Sequence, residues 1–246
     1  MPSENSNTNY DPYQESLMQE ECILVDDNDK AIGHATKRTC HTIDPNTGKS
    51  PLHRAFSLFI FNRDNKLLLQ QRYISQNSST WYDCKIWFQL NKVKSVTLYI
   101  NNFYCRSDTK ITFPGLWTNS CCSHPLATFQ NEQNHPDEKD GMGAKRAAQR
   151  RIFDELGIPS EQCPVEQMVY LTRILYNSPS CGKWGEHELD YILFFKDYNN
   201  DIIPRPNPNE IKVIISFNLS YEICRQLVNK ITEVKLLKGS IILTGH

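Results

Sequence analysis

Short apolar runs separated by polar turns dominate the first third of this chain of 246 residues. Residues 22–26, 31–36, 55–62 and 66–72 each have the length and apolar content of a β-strand, with turn-forming residues between them. The run at 55–62 is apolar at nearly every position, which is typical of a strand covered on both faces. Because only a short turn separates it from 66–72, we expect these two strands to pair as a hairpin.

The second half of the chain combines a helix with further strands. The clearest helix spans 143–156 and is closed by Gly157 and Pro159. The later elements are predicted in the order 168–176 (strand), 186–195 (strand), 213–217 (strand) and 219–234 (helix-like). Residues 1–20 are rich in Asn, Ser, Glu and Gln, which indicates a loose tail or a peripheral helix.

The predicted helix carries two charges on or beside its apolar face. Its apolar stripe consists of Ala144, Ala148, Ile152 and Leu156. Arg151 and Glu155, four residues apart, fall inside or at the edge of that stripe. Such a pair forms either a structural ion pair or a site that holds an anion and a cation, and the helix alone favours neither.

A turn-bounded loop at 111–125 brings two thiols close to a histidine. Cys121 and Cys122 are followed by His124, and Pro125 ends the run. A thiolate or a metal could be held there at short range, although for an isolated Cys-x-His a buried cysteine pair with a surface histidine is the commoner outcome.

Acidic residues alternate at the start of the strand predicted at 186–195. Residues two apart share a face of a strand, so Glu186 and Glu188 point the same way and Asp190 follows them. Carboxylates this close repel each other unless a cation lies between them. The alternative is a solvated strand end.

Composition narrows the possible function classes. The net charge of −1 gives no general attraction to nucleic acid or membrane, so any basic site must be local. Nine cysteines without a Cys-x-x-Cys spacing, and no apolar leader, favour a reducing compartment. No apolar run approaches the ~20 residues of a spanning helix. We expect a soluble intracellular protein without a nucleic-acid partner, and a monomer.

Two groups of polar residues suit a metal and a diphosphate. Three imidazoles and two carboxylates suit an octahedral site for Zn²⁺, Mn²⁺ or Mg²⁺: His41, His53, His124, Glu186 and Glu188. Four cations on separate segments suit a diphosphate carrying a second, hard ion such as Mg²⁺: Lys37, Arg72, Lys110 and Arg151. Spacing alone does not show that either group converges.

Seven stretches together resemble the type I isopentenyl-diphosphate delta-isomerases, most closely those of animals. They are LHRAFS (52–57), LLLQQR (67–72), SDTKITFPG (107–115), TNSCCSHPL (118–126), RAAQRR (146–151), ELGIP (155–159) and WGEHELDYIL (184–193). The resemblance implies a Nudix-like α/β/α sandwich (α/β, or α+β, class) with a mixed sheet. It also implies interconversion of isopentenyl and dimethylallyl diphosphate, in the cytoplasm or in peroxisomes.

The resemblance also assigns roles to individual residues. It implies that Cys122 is the catalytic thiol, Glu188 the acid/base facing it, and Tyr176 the hydrogen-bonding partner of Glu188. Glu155 would bind the Mg²⁺ on the substrate diphosphate. The metal ligands would be the three histidines and two glutamates given above. The four cations given above would bind the diphosphate, and we call them the diphosphate clamp.

The chain departs from the family pattern at two places. Residues 73–106 look like an insertion between two clamp residues, so that Arg106 could replace Arg72 in the clamp. The match stops at about residue 212, and the last three residues are not a peroxisomal signal. The expected organisation is a tail at 1–20, an isomerase domain at 21–212 interrupted by 73–106, and a divergent segment at 213–246.

Three functions therefore remain open. The first is an active isomerase with a looped-out insertion, and the second is a non-catalytic variant that keeps the metal site. The third is a Nudix hydrolase. It is disfavoured because Arg151 stands where such a hydrolase has a glutamate of its metal-binding motif.

Overall fold

The computed structural model describes residues 12–72, 117–134, 139–180, 183–197, 202–217, 221–222, 224–226 and 243–244. The insertion predicted at 73–106, residues 1–11, and most of the helix-like stretch at 219–234 lie outside these ranges. The strands are β1 Glu21–Val25, β2 Ala31–Thr36, β3 His53–Phe61, β4 Leu67–Arg72, β5 Trp117–Thr118, β6 Cys121–Ser123, β7 Val169–Pro179, β8 Gly185–Lys196, β9 Ile211–Phe217 and β10 Leu243–Thr244. The helices are α1 Pro12–Leu17, α2 Lys37–His41 and α3 Met142–Leu156.

A mixed sheet forms the centre of the fold, in the order β10-β7-β8-β3-β1-β2. β3 and β8 run parallel over nine residue pairs, from His53↔Glu188 to Phe61↔Lys196. On its other edge β3 pairs in succession with β1, β6 and β4. β3 is therefore paired along both edges. Its residues also belong to the cores on both faces of the sheet, as its almost continuous apolar run predicts. The expected α/β class with a mixed sheet is confirmed.

The two faces of the sheet bury different cores. On one face α3 packs against Phe56, Leu58 and Leu193, which are fully buried. The opposite face buries Phe61 and Phe194, covered in part by helical residues 221–222 and 224–226. Side chains on this second face of β3 are the odd-numbered ones, so His53 and Ser57 lie on the same face as Phe61.

The expected hairpin between 55–62 and 66–72 is wrong for most of its length. Only Phe61↔Leu67 pair, after which β4 leaves β3 and pairs antiparallel with β9 along its whole length. The edge of β3 that β4 leaves is taken by β6. β9 continues to Phe217, five residues past residue 212, where the segment predicted to be divergent begins. This part of the C-terminal segment therefore belongs to the sheet.

The N-terminal segment is packed where the structure describes it. α1 buries Gln14, and its Nε2 atom donates to the carbonyl of Asn209 at 3.2 Å. Met18, just after α1, is buried against Trp184. Residues 12–18 are thus a packed peripheral helix and turn rather than a loose tail. No helix in the described ranges is long and apolar enough to cross a membrane.

The β1–β2 turn is anchored to the sheet by one buried carboxylate. Asp29, at φ +68°, accepts from Arg54 Nε at 2.8 Å and from Arg173 Nη1 at 2.6 Å, and it also binds the hydroxyl of Tyr191. This fixes the hairpin that leads directly into α2. The short α2 helix begins after Thr36, whose hydroxyl accepts from the backbone amide of Thr39.

Candidate metal and thiol site

Strand register places the chemically important residues on one face of the sheet. His53 pairs with Glu188 across β3 and β8, and Ser57 pairs with Cys122 across β3 and β6. Paired residues point to the same face, and so do residues two apart on one strand. His53, Ser57, Glu188 and Cys122 therefore share the face opposite α3, and Cys121 points the other way.

Three imidazoles converge on one carboxylate oxygen. The Nε2 atoms of His124, His53 and His41 lie 3.0, 3.4 and 3.7 Å from Oε1 of Glu188. Ring centroids are 4.9–5.0 Å apart, and all four residues are buried. One ligand atom from each lies within 4.8 Å of the others, which is compatible with a single bound ion. The predicted convergence of the histidines is thus what the fold produces.

The hydrogen bonds of these rings leave the correct nitrogen available to a metal. Nδ1 of His41 lies 2.8 Å from the carbonyl of Lys37, and Nδ1 of His53 lies 2.8 Å from that of Pro51. A carbonyl only accepts, so each Nδ1 carries a proton and Nε2 is the nitrogen through which each ring can bind a metal. Nε2 of His53 is completely buried without a hydrogen-bond partner. A buried ring nitrogen aimed at a carboxylate fits a cation between them, either a proton or a metal ion that replaces it, so the residues present suit a divalent metal.

The charge balance of the group also fits a cation. Burial lowers the pKa of His124 to about 4 and holds the pKa of His41 well below its usual range. Burial works against the charge of Glu188 as well, but His124 and His53 beside its carboxylate hold its pKa well below normal. For His53 the same burial is outweighed by Glu188, which raises its pKa to about 9. The group therefore contains one negative charge, on Glu188, and one positive charge, on His53.

Glu186 lies next to this group but outside it. The hydroxyl of Tyr176 lies 2.5 Å from Oε2 of Glu188 and 2.8 Å from Oε2 of Glu186. Burial and both carboxylates keep the pKa of Tyr176 well above its usual value, so it stays a donor. Tyr176 is thus placed as the partner of Glu188 that the family resemblance implies. The role of Glu186 as a metal ligand stays a prediction.

Cys122 lies farther along the same face and is half-buried. Its Sγ lies 3.6 Å from Oγ1 of Thr118. Beside it, the Ser57 hydroxyl donates to Oδ2 of Asp190 at 2.8 Å. Burial, reinforced by the charge of Glu188, raises the pKa of Asp190 well above its ordinary value. Polar groups therefore continue along the sheet from Glu188 towards the thiol.

The charged pair on α3 lies on the opposite side of β6. Arg151 Nη2 lies 2.6 Å from Oε1 of Glu155, and the Gln70 amide donates to Oε2 of Glu155 at 3.1 Å. The thiol of Cys121 is 3.5 Å from the same oxygen, and Glu210 lies 3.8 Å from Arg151. All five side chains are buried. The expected position of Arg151 and Glu155 on the buried face is confirmed, and neighbouring residues of β6 connect this cluster with the thiol side.

The proposed clamp cations are described only in part. Burial is the main cause of the low pKa of His124, and the positive charge of the Lys37 ammonium lowers this pKa further. The Lys37 charge therefore influences the histidine group. The backbone of Arg72 ends β4, but its side chain is not described, and Lys110 and Arg106 lie outside the described residues. Their convergence on a diphosphate stays a prediction.

Several polar residues of the site have no sequence signal that would identify them. Ser57 and Asp190 are 133 residues apart, and Gln70 and Glu155 are 85 apart. Each is an ordinary residue of a strand or helix until the sheet register is known. Only the alternation of acids from Glu186 onward indicated that Asp190 shares their face.

Comparisons with known proteins identify the family of this chain. An isopentenyl-diphosphate delta-isomerase 1 from Mesocricetus auratus is 44% identical over 238 residues, covering 96% of this chain and 85% of that relative. The Bos taurus protein of the same name is 45% identical over 209 residues, 85% of this chain and 74% of its own. Isopentenyl-diphosphate delta-isomerase I from Clarkia breweri is 44% identical over 210 residues, with 58% of the relative covered. No family model matches the chain.

Solved structures overlap with the chain only loosely. A protein from Deinococcus radiodurans has 16% identity and a TM-score of 0.42, covering 87% of this chain and 90% of that one. The MutT protein from Methanosarcina mazei has 15% identity and a TM-score of 0.31, covering 75% and 96%. Overlap this loose carries no argument about the fold.

Proposed function

This chain belongs to the isopentenyl-diphosphate delta-isomerase family, and from that premise we propose that it interconverts isopentenyl and dimethylallyl diphosphate. The observation that carries the proposal is the buried group of three histidines and Glu188, with the Cys122 thiol on the same face of the sheet. A mixed sheet with helical segments on both faces accords with the Nudix-like fold of that family.

The reaction requires two proton transfers at different carbon atoms. One group adds a proton to the terminal carbon of the double bond. Another group removes a proton from the methylene carbon attached to the other carbon of that double bond. Cys122 and Glu188 suit these tasks because both exchange protons and come from different strands of one face. Since the reaction is reversible, each acts as an acid in one direction and as a base in the other. Tyr176 holds Oε2 of Glu188 and so sets the direction of its carboxylate.

Burial of the site serves the positively charged state between the two transfers. His41, His53 and Glu188 are each at most 5% exposed, so water has little access to the Glu188 carboxylate. Excluding water prevents capture of a carbocation-like species and strengthens the local electrostatics. The low pKa of Glu188 keeps its carboxylate negative, which stabilises positive charge on a neighbouring carbon.

A divalent metal would be held by His41, His53, His124 and Glu188, with Glu186 as a further candidate. Bound there, a metal ion supplies a fixed positive charge that tunes the acidity of the Glu188 carboxyl. Elemental analysis of purified protein would identify the ion as Zn²⁺, Mn²⁺ or Mg²⁺. Mixed nitrogen and oxygen ligands are compatible with all three.

The substrate diphosphate would be bound on the α3 side by Arg151, with Lys37, Arg72 and Lys110 as the other cations. Glu155 would take part through a Mg²⁺ that accompanies the diphosphate. Arg151 and Glu155 already lie 2.6 Å apart, so a cation for phosphate oxygens and a carboxylate for Mg²⁺ are available side by side. An arginine at this place supports binding of a diphosphate over its hydrolysis.

Purified protein incubated with isopentenyl diphosphate and Mg²⁺ tests the proposal directly. Formation of dimethylallyl diphosphate is the expected result. Released phosphate would indicate the hydrolase. Absence of any turnover by protein that still binds the metal would indicate the non-catalytic variant.

We also place the protein in isoprenoid synthesis leading to sterols such as cholesterol, as a monomer in the cytoplasm or peroxisomes. Size-exclusion chromatography with light scattering tests the monomer. Fractionation of expressing cells tests the compartment. A dimer, or recovery with another organelle, would contradict these assignments.

A further inference from the structure

Behind the Cys122 thiol lies a short chain of hydrogen bonds that the reaction described so far does not use. Sγ of Cys122 lies 3.6 Å from Oγ1 of Thr118, and this hydroxyl lies 2.7 Å from Oδ1 of Asn119. The amide nitrogen of Asn119 lies 3.0 Å from the carbonyl of Leu58 and 2.9 Å from that of Cys121.

The direction of each hydrogen bond follows from the two backbone carbonyls at the far end of this series. Two carbonyl groups can only accept, so the Asn119 amide nitrogen faces them and its oxygen faces Thr118. Oδ1 of Asn119 also only accepts, so the single proton of the Thr118 hydroxyl points to Asn119. Thr118 therefore presents lone pairs to the sulfur, and in this arrangement the thiol S–H donates to Thr118.

On this basis, and resting on the proposed function, we propose that Thr118 is a positioning residue for Cys122 and that Asn119 sets the direction of its hydroxyl. When the S–H bond breaks, the proton forms a C–H bond with the electron pair of the substrate alkene, and the sulfur keeps its own pair. The Thr118 hydroxyl then turns its O–H from Asn119 to the thiolate. When a substrate C–H bond breaks and its electrons form the new double bond in the reverse reaction, S–H forms again and the hydroxyl turns back.

A role in holding the β5–β6 connection does not account for Thr118. Asn119 ties this connection to β3 through the carbonyl of Leu58 and to β6 through the carbonyl of Cys121. Ser120 adds a second tie, since its hydroxyl donates to Leu68 and accepts from the amide of Ile60. Within the described part of the chain, the side-chain hydroxyl of Thr118 forms hydrogen bonds only with Asn119 and Cys122. Its position therefore serves the thiol.

Replacement of the hydroxyl tests the proposal by its effect on turnover. Thr118→Val keeps the branched shape and removes the hydrogen bonds, and we expect kcat to fall about 10-fold with little change in KM. Thr118→Ser restores the hydroxyl and should recover most of that loss. Thr172→Val is the matched control, because the Thr172 hydroxyl donates to the carbonyl of the next residue on β7, Arg173, and not to a group of the site described above. Equal kcat for Thr118→Val and wild type, or no recovery in Thr118→Ser, overturns the proposal.

A second measurement does not depend on turnover. Iodoacetamide reacts with the thiolate, and the modification of Cys122 can be followed at one fixed pH by mass spectrometry of its peptide. Loss of a hydroxyl that donates to the thiolate should slow this reaction several-fold in Thr118→Val and not in Thr118→Ser. Equal rates in all three proteins would refute the positioning role. An inactive wild type with the expected rate difference would instead refute the proposed function alone.

Discussion

Binding of a metal to the histidine group should release close to one proton per ion between pH 7 and pH 8.5. His53 has its pKa raised to about 9 by Glu188, so it is protonated in metal-free protein over this range. Burial keeps His124, with a pKa of about 4, and His41 neutral, and Glu188 is already ionised. Only the proton of His53 must leave before the ion binds. The affinity should therefore rise about tenfold per pH unit, or roughly 30-fold over this interval.

Titration of metal-free protein with Zn²⁺ in the presence of a competing chelator measures this dependence. Calorimetry in two buffers of different ionisation enthalpy counts the released protons independently. His53→Gln should abolish the pH dependence together with much of the affinity. The control His34→Asn, on an exposed side chain beside Glu21, should change neither. A release of two or more protons, or none, would refute the charge distribution described for the group.

Three further predictions follow from the remaining parts of the site. Cys122→Ala should abolish isomerase activity while metal content measured by elemental analysis stays unchanged; wild-type turnover would show that the thiol is not an acid or base in the reaction. Arg151→Met should lower the free energy of unfolding, measured by urea titration, by about 3–5 kcal/mol, because it leaves Glu155 and Glu210 buried without their cation. The control Arg146→Met replaces a half-buried arginine of the same helix and should lower it by under about 1 kcal/mol. Deletion of 73–106 should raise soluble yield and kcat/KM by restoring the family's spacing; a less active protein would argue that this segment belongs to the enzyme.

Local patterns in the sequence were sufficient for α3 and for most strands. The stripe of Ala144, Ala148, Ile152 and Leu156 needs only the helical period, and the same period placed Arg151 and Glu155 on the buried face. The long apolar run of β3 likewise indicated a strand covered on both faces. These features depend on neighbours within a few residues, which the sequence displays directly.

Pairings between distant segments could not be predicted from the sequence in the same way. A hairpin between β3 and β4 is the local expectation, but β9, more than 130 residues further along the chain, supplies the partner of β4. The five-residue helix α2 is too short to show periodicity, although it carries His41. Convergence of the histidines came from the family resemblance, because it depends on the register of β3 with β8 and β6. The hydrogen bonds of Thr118 and Ser57 depend on that register in the same way.

The most direct test of the central claim is turnover of isopentenyl diphosphate in deuterium oxide, followed by NMR. If Cys122 and Glu188 transfer protons at different carbon atoms, the dimethylallyl product should carry deuterium from solvent in its newly formed methyl group, and Cys122→Ala should give none. Product without solvent deuterium, labelled product from Cys122→Ala, or inorganic phosphate in place of product would contradict the account.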